Sequence, residues 1–225
     1  FAPTSKSKDN LLKENIPTSN ILVTGNTVID ALIESSERVK NLNNEDVIDL
    51  NNRLDFSKKI ILATGHRREN HGQGFIDICS ALKKIATKNS GIEIVYPVHL
   101  NPNILVPAKK LLGDIRNIHL VNPLSYPSFV WLMNRSYLVI TDSGGVQEEA
   151  PSLGKPVIVM REPTERLEAV EAGTVILVGT DKLKIVKETQ ELLDSKEKYQ
   201  LVSTKQNPYG DGKACDRIIE FINKL

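Results

Sequence analysis

Short runs of apolar residues recur along the chain, separated by polar or glycine-containing segments. Most of these runs are continuously apolar, which is typical of strands buried on both faces of a parallel sheet. A half-exposed strand would instead alternate between apolar and polar residues. The predicted strands are Ile21–Thr24, Ile60–Ala63, Ile92–Pro97, Ile118–Val121, Tyr137–Thr141, Val157–Met160 and Val175–Val178.

Between the runs, apolar residues are spaced by three or four positions, which is the period of an amphipathic helix. Strands that alternate with helices predict an α/β fold with a doubly wound, mostly parallel, Rossmann-like sheet. The polar segment Asn41–Asn52 is interpreted as a surface loop or linker, and Gly212–Leu225 as a terminal amphipathic helix. The other predicted helices are Asn26–Asn43, Gln73–Thr87, Asn103–Leu112, Ser125–Asn134, Val146–Leu153 and Asp181–Leu193.

Composition narrows the possible partners of this α/β chain. The 225 residues include 29 Lys and Arg against 28 Asp and Glu, and no basic run is dense enough to predict contact with nucleic acid or a membrane surface. The two cysteines, Cys79 and Cys215, predict neither a disulfide framework nor a cysteine metal site. We therefore expect a cytoplasmic location and no cofactor or bound metal.

The stretch Thr141–Ala150 joins a predicted strand end, a turn of small residues and a helix start. Ser143, Gly144 and Gly145 would leave unpaired backbone N–H groups at the edge of the sheet, where phosphate binds readily. Glu149 follows one turn later, and its carboxylate can accept two hydrogen bonds from the adjacent hydroxyls of a ribose. The turn and the acid together predict a nucleotide site.

An ordinary helix start is the alternative interpretation of this turn. Ser143 would then serve as the N-cap, and Glu148 and Glu149 would be acids that suit the helix dipole. The turn by itself does not decide between the two interpretations.

Polar loops also follow the other predicted strands. His66, His99 and several arginines in these loops offer charge-assisted donors to a substrate that carries phosphates. Because the carboxyl ends of parallel strands face one crevice, we expect these groups at a single rim. The alternatives are surface ion pairs within the loops, Arg68 with Glu69 and Arg161 with Glu162, and a buried structural imidazole at His99. The loops are Thr64–Asn70, His99–Pro102, Asn122–Tyr126 and Arg161–Arg166.

Several long motifs occur in a fixed order over nearly the whole chain, namely Gly25–Asp30, Gly65–Asn70, Thr141–Val157, Arg161–Arg166, Glu168–Gly173 and Asn207–Gly212. In these motifs the chain resembles the non-hydrolysing bacterial UDP-N-acetylglucosamine 2-epimerases. The number of motifs and their order make the resemblance specific.

The resemblance implies the C-terminal half of a two-domain, GT-B-like fold, with the active site in the cleft between the domains. Residues 1–45 would form the inter-domain connection and the first βα unit. Residues 46–225 would form the UDP-binding Rossmann-like domain with its terminal helix, and the N-terminal domain of the family would be absent. Because the chain also begins at Phe1 rather than at methionine, we expect it to be part of a longer protein.

The implied activity is that of an isomerase in cell-envelope polysaccharide biosynthesis, which converts UDP-GlcNAc to UDP-ManNAc. UDP leaves by anti elimination and adds again to the opposite face of the sugar, so the reaction needs a base and an acid at C2 and stabilisation of the departing UDP. In the family, the carboxylates for C2 belong to the N-terminal domain. We therefore expect the isolated chain to bind UDP without epimerising UDP-GlcNAc, and the full-length family member to be a homodimer.

The resemblance also assigns roles to residues. Phe129 and Leu124 match positions near the uracil, and Glu149 matches the acid that binds the ribose. The diphosphate positions match Ser143, Gly144, Gly145 and Arg166. His66 matches a catalytic histidine beside the diphosphate, and Arg67 and His99 match contacts to a second, regulatory UDP-GlcNAc found in some relatives.

Three other functions stay open from the sequence. The chain could be the nucleotide-binding half of a glycosyltransferase, against which Gly65–Asn70 argues. It could be a non-catalytic UDP-sugar-binding fragment, which the missing domain favours. It could also belong to a hydrolysing UDP-GlcNAc 2-epimerase, which would release ManNAc and UDP.

Overall fold

A computed structural model describes residues 1–224 and shows one parallel sheet with helices on both faces. The six strands lie in the order β3-β2-β1-β4-β5-β6, and every neighbouring pair is parallel. The predicted doubly wound, Rossmann-like fold is therefore confirmed. The strands are β1 (Lys59–Thr64), β2 (Ile92–Pro97), β3 (Ile118–Val121), β4 (Leu138–Thr141), β5 (Val157–Val159) and β6 (Val175–Leu177).

Helices connect the strands and extend the chain at both ends. The predicted terminal helix is confirmed within the described residues, and Leu225 lies outside them. The helices are α1 (Ser5–Lys13), α2 (Thr27–Arg38), α3 (Glu45–Arg53), α4 (Gln73–Lys88), α5 (Pro102–Leu112), α6 (Tyr126–Arg135), α7 (Gly144–Glu149), α8 (Leu167–Ala172), α9 (Lys182–Asp194), α10 (Lys196–Ser203) and α11 (Ala214–Ile222).

The sheet is buried on both faces, as the continuous apolar runs predicted. Consecutive residues of β1 point to opposite sides, so that Ile61 packs in the core beneath α4, α5 and α9, whereas Leu62 packs in the core beneath α2 and α6. Both side chains are fully buried, and each such burial stabilises the fold by about 1.5–3 kcal/mol. The sheet thus holds the carboxyl ends of its strands on a rigid base.

The prediction of a strand at Ile21–Thr24 is wrong. Val23 forms only an isolated parallel bridge with Ala2, and the sheet does not include it. The run is short and its Val23 side chain is 37% exposed, so it lacks the two-sided burial that the other strands have. Its backbone instead bonds the N-terminal segment, because the Leu22 carbonyl accepts from the Ala2 N–H at 2.8 Å and the Thr24 N–H donates to the Ala2 carbonyl at 3.0 Å.

The prediction of a loop at Asn41–Asn52 is also wrong, because α3 occupies much of this segment. Asn44 caps the helix by accepting a hydrogen bond from the backbone N–H of Val47 at 3.0 Å. Val47 and Leu50 are buried three positions apart, and the polar residues around them cover the exposed side. The short amphipathic helix was not predicted because most of its residues are polar.

Three further helices were not predicted, and some predicted helices have different bounds. Besides α3, sequence reasoning missed α1, α8 and α10, and α2 ends at Arg38 rather than at Asn43. The helix predicted from Val146 begins at Gly144, and its last part, Ala150–Leu153, is a 3-10 helix because Pro151 cannot donate the next helical hydrogen bond.

Candidate functional site

The strand order reverses direction between β1 and β4, which creates a crevice at the carboxyl ends of these two strands. Thr64 ends β1 and is in register with Thr141, which ends β4. Their hydroxyl oxygens are 2.6 Å apart, so the two strand ends are joined directly. In open α/β sheets this is the place where ligands bind.

The turn after β4 exposes backbone donors at this crevice. The N–H of Ser143 donates to the Thr141 hydroxyl at 2.9 Å, and α7 begins at the next residue. The N–H groups of Gly144, Gly145 and Val146 lie in the first turn of α7, where a helix has no internal acceptors for them. The expected free donor at Ser143 is therefore absent, because Thr141 accepts its N–H, and the two glycines and Val146 carry the N–H groups of the first turn.

The ordinary helix start fits this turn less well than the anion site does. Ser143 occupies the N-cap position, but its side chain makes no capping hydrogen bond. Glu148 and Glu149 lie at the carboxyl end of α7, where the helix dipole disfavours a negative charge. Neither the serine nor the acids are explained by helix stability alone.

The turn after β1 is held by a buried carboxylate on the neighbouring loop. Asp142 Oδ2 accepts hydrogen bonds from the backbone N–H groups of His66 and Arg67, both at 2.9 Å, and from the Asn70 amide at 3.2 Å. The Tyr96 hydroxyl donates to the Gly65 carbonyl at 2.6 Å. These contacts fix the backbone that carries His66.

A cavity of about 320 Å³ opens between the loops after β1, β2, β3 and β4. The rings of His66 and His99 stack across it, with centroids 5.5 Å apart and an angle of 13° between their planes. Residues from four different loops thus meet at one rim, as predicted. The lining residues are Thr64, His66, Pro97, His99, Pro123, Leu124, Tyr126, Phe129, Ser143 and Val146.

Glu149 contacts Tyr126, which lines this cavity. The Tyr126 hydroxyl donates to Glu149 Oε1 at 2.7 Å. Burial raises the pKa of Glu149 above its usual value, and the nearby Glu148 raises it further, whereas the Tyr126 hydrogen bond lowers it. A carboxylate in this position has a second oxygen available for a hydroxyl donor.

Three arginines surround the Glu165 carboxylate, which lies beside Gly144. Glu165 Oε1 lies 3.5 Å from Arg166 Nη1 and 3.9 Å from Arg67 Nη2, and Arg161 bonds the other oxygen of Glu165. A Cβ atom added at Gly144 would lie 3.0 Å from Glu165 Oε1 and 3.5 Å from Arg166 Nη2. The absence of a side chain at Gly144 therefore lets Glu165 and Arg166 approach the start of α7.

The surface ion pairs considered from the sequence do not form. Arg161 is buried and its Nε donates to Glu69 at 2.8 Å, so Glu69 pairs across the crevice rather than with Arg68. Arg161 pairs with Glu165 rather than with Glu162. His99 is exposed rather than buried, which removes the structural-imidazole interpretation.

Sequence reasoning missed a polar network centred on Glu148, at the end of α7. Glu148 bonds the Arg166 guanidinium, accepts from the Asn26 amide at 2.7 Å, and its backbone carbonyl accepts from the Asn207 amide at 2.7 Å. The backbone N–H of Asn26 in turn donates to the Tyr209 carbonyl at 2.7 Å. Each of these residues lies in one of the motifs, but only the fold shows that the motifs contact each other.

A larger cavity of about 820 Å³ lies at the opposite, amino edge of the sheet. It contains Glu93, which accepts from Lys58 Nζ at 2.6 Å and bonds His119. Glu93 is therefore already paired with two neighbouring side chains. The smaller cavity at the carboxyl edge has the more suitable chemistry for a ligand.

Residues 1–224 contain neither a metal-binding cluster nor a membrane-spanning helix. No cluster of three or more His, Cys, Asp and Glu in this range is arranged to hold a metal ion. No helix in the same range has the length and apolar character needed to cross a membrane.

The strand order and the glycine turn at its switch point define a Rossmann-like domain of the kind that binds nucleotides. A sequence profile of the family described as UDP-N-acetylglucosamine 2-epimerase matches residues 1–223, and the chain belongs to this family. The resemblance of the motifs to this family is thereby confirmed.

Individual relatives agree with the family profile. The UDP-N-acetylglucosamine 2-epimerase of Campylobacter jejuni is 55% identical over 229 residues, which are 100% of this chain and 60% of that protein. The corresponding protein of Escherichia coli K12 is 54% identical and covers 99% of this chain. The chain spans about 60% of the length of these curated relatives.

Solved structures show the same fold. The crystal structure of UDP-GlcNAc 2-epimerase from Neisseria meningitidis bound to UDP-GlcNAc is 45% identical and has a TM-score of 0.90, covering 100% of this chain and 61% of that one. The Methanocaldococcus jannaschii enzyme in complex with UDP-GlcNAc and UDP is 32% identical with a TM-score of 0.82, over 100% and 60% of the two chains. The fold is that of the C-terminal half of a GT-B-like enzyme, as predicted.

Proposed function

We propose that this chain supplies the UDP-binding half of a UDP-GlcNAc 2-epimerase, which interconverts UDP-GlcNAc and UDP-ManNAc. Family membership supports the reaction, and the relatives solved with UDP-GlcNAc or UDP support the ligand. The single observation that carries the proposal is the Ser143–Gly145 turn, which places the N–H groups of Gly144 and Gly145 in the first turn of α7 at the switch point of the sheet.

The diphosphate lies against this turn in the proposed complex. Gly144 and Gly145 donate backbone N–H groups to its oxygens, and the unused Ser143 hydroxyl adds a donor. Arg166 supplies positive charge from the loop after β5, where Glu148 orients its guanidinium. UDP remains bound here when its bond to the sugar breaks, so that it can add again.

The nucleoside occupies the cavity beside the turn. Leu124 and Phe129 line its apolar side and contact the uracil, since a flat base packs favourably on an aromatic ring. Glu149 accepts hydrogen bonds from the ribose hydroxyls with the oxygen that Tyr126 leaves free.

His66 is the proposed catalytic residue of this half. Its ring lines the cavity near Ser143, so a protonated imidazole there stabilises the negative charge that develops on departing UDP. Removal and return of the C2 proton are assigned to carboxylates outside this chain. Arg67 and His99 are proposed to contact a second, regulatory UDP-GlcNAc.

Further parts of the proposal concern the whole protein. Residues 1–45 act as the inter-domain connection, and residues 46–225 act as the nucleotide-binding domain. The full-length protein is a homodimer that works in the cytoplasm on nucleotide sugars and does not bind nucleic acid.

Calorimetric titration with UDP tests the binding site. Ser143→Ala is expected to raise the dissociation constant about tenfold, and Glu149→Ala about 10- to 100-fold, because a hydrogen bond to a charged group contributes about 1.5–3 kcal/mol. Ser90→Ala serves as the control, because Ser90 is exposed at the opposite edge of the sheet. Unchanged affinity in both site variants would contradict the proposal.

A further inference from the structure

We propose that Asp142 is a positioning residue for His66, and that its free carboxylate oxygen selects the imidazole tautomer with the proton on Nδ1. This inference rests on the proposed role of His66 beside the diphosphate. It concerns a residue inside the Thr141–Ala150 segment that neither the motif roles nor the apolar pattern singled out.

The two oxygens of Asp142 have very different surroundings. The residue is fully buried, and Oδ2 accepts from the backbone N–H groups of His66 and Arg67 and from the amide of Asn70. Oδ1 is equally buried, yet it has no hydrogen-bond partner among residues 1–224. Leaving such an oxygen unpaired costs about 1–3 kcal/mol or more, so a donor that can reach it will be favoured.

The nearest candidate donor is the ring of His66. Nδ1 of His66 lies 3.9 Å from Asp142 Oδ1, just beyond hydrogen-bond distance, and the side chain of His66 is 46% exposed. Hydrogen bonds within active sites are often long without ligand and shorten when the ligand binds. A small rotation of the ring brings Nδ1–H onto Oδ1.

The consequence is a defined role for each ring nitrogen. A carboxylate accepts but does not donate, so it favours the proton on Nδ1. Nε2 then points into the cavity, where it accepts a proton and, once protonated, donates to a phosphate oxygen. An aspartate that orients a histidine in this way also keeps the imidazolium stable beside it.

Other groups around His66 do not supply this selection. His99 stacks on the face of the ring, Arg67 pairs with Glu165, and the Tyr96 hydroxyl is engaged by the Gly65 carbonyl. Among these neighbours, Asp142 is the one whose free oxygen lies near a ring nitrogen of His66.

Nitrogen-15 NMR of the imidazole rings tests the inference directly in the wild-type chain. At a pH where His66 is neutral, we expect the proton on Nδ1 and an unprotonated Nε2, with the signals assigned by comparison with His66→Gln. Free histidine prefers the opposite tautomer, so finding the proton on Nε2 of His66 would overturn the inference.

Asp142→Asn provides the second test. One oxygen is still needed by the backbone N–H groups of His66 and Arg67, so the amide nitrogen must take the place of Oδ1 and donate toward the ring. The His66 proton is then expected to move to Nε2. Asn70→Ala is the control, because it removes a donor from the other oxygen and should leave the tautomer unchanged.

UDP titration separates this inference from the proposed function. Asp142→Asn is expected to raise the UDP dissociation constant about tenfold together with the change of tautomer. If the wild type fails to bind UDP, the binding proposal fails while the tautomer measurement still stands. If UDP binds but the tautomer is the same in wild type and Asp142→Asn, the positioning role is refuted.

Discussion

Burial of the ionised Glu149 side chain lowers the stability of the fold, and the same side chain has a proposed role in binding UDP. Its side chain is buried at the end of α7, and burial raises its pKa above the usual value of 4.5. The ionised form is therefore less favoured in the folded chain than in the unfolded chain. As the pH rises from the unfolded pKa through the folded pKa, this residue lowers the stability of the fold.

Replacing Glu149 with glutamine is expected to stabilise the unliganded fold near neutral pH by about 0.5–1 kcal/mol while weakening UDP binding. Glutamine cannot ionise, but its oxygen can still accept the Tyr126 hydroxyl. Urea denaturation near neutral pH and again below pH 4.5, where the wild-type carboxyl is also protonated, measures the effect. The difference between variant and wild type should shrink at the lower pH.

Glu14→Gln is the control for this prediction, because Glu14 is exposed. It should change the free energy of unfolding by less than about 0.5 kcal/mol at either pH. A Glu149→Gln variant that is less stable than the wild type near neutral pH would show that the ionised carboxylate is satisfied in the folded chain.

At the scale of elements, α3 shows how a short helix depends on its cap and its neighbours. The Asn44 oxygen accepts from the Val47 N–H at 3.0 Å, and the Asn44 amide donates to the Ser128 hydroxyl of α6 at 2.8 Å. A helix of this length is not stable by itself in water. Its cap and its buried face against α6 therefore hold it in place.

Asn44→Ala is expected to lower the free energy of unfolding by about 1 kcal/mol, since it removes both the cap and the link to α6. Thermal and urea denaturation measure this loss. Asn43→Ala is a matched control one residue earlier, where the side chain is exposed, and it should change stability by less than about 0.5 kcal/mol. Equal losses in the two variants would contradict the capping role.

The sequence predicted the strands of the sheet better than the short helix α3. Continuous apolar runs located all six strands of the sheet, because burial on both faces leaves a local signal in each run. The run Ile21–Thr24 has the same local signal but no partner strand. Helix α3 forms although its local signal is weak, because only two buried residues mark it within a polar segment.

At the scale of the whole molecule, the chain forms one side of a proposed active site. The crevice at β1 and β4 holds groups suited to UDP, and the chain spans about 60% of the length of its curated relatives. Catalysis needs the base, the acid and the leaving-group site to be held in one geometry. A domain that binds only the leaving group does not supply the base and the acid.

The purified 225-residue chain is therefore expected to bind UDP but to form no UDP-ManNAc from UDP-GlcNAc. Incubation in deuterated water, followed by NMR of the sugar, measures both product formation and exchange at C2. UDP titration of the same sample is the control that the chain is folded. Detectable exchange at C2 would refute the assignment of the C2 chemistry to residues outside this chain.

The sequence by itself determined the α/β class, the positions of the six strands of the sheet and the position of the glycine turn after β4, because each depends on residues that are close in the chain. Only the tertiary structure decided which groups meet. Asp142 supports the loop of His66, and Glu148 joins Arg166 to Asn26 and Asn207, through contacts between distant segments. Such contacts depend on strand order and helix packing, for which a local pattern of residues carries no signal.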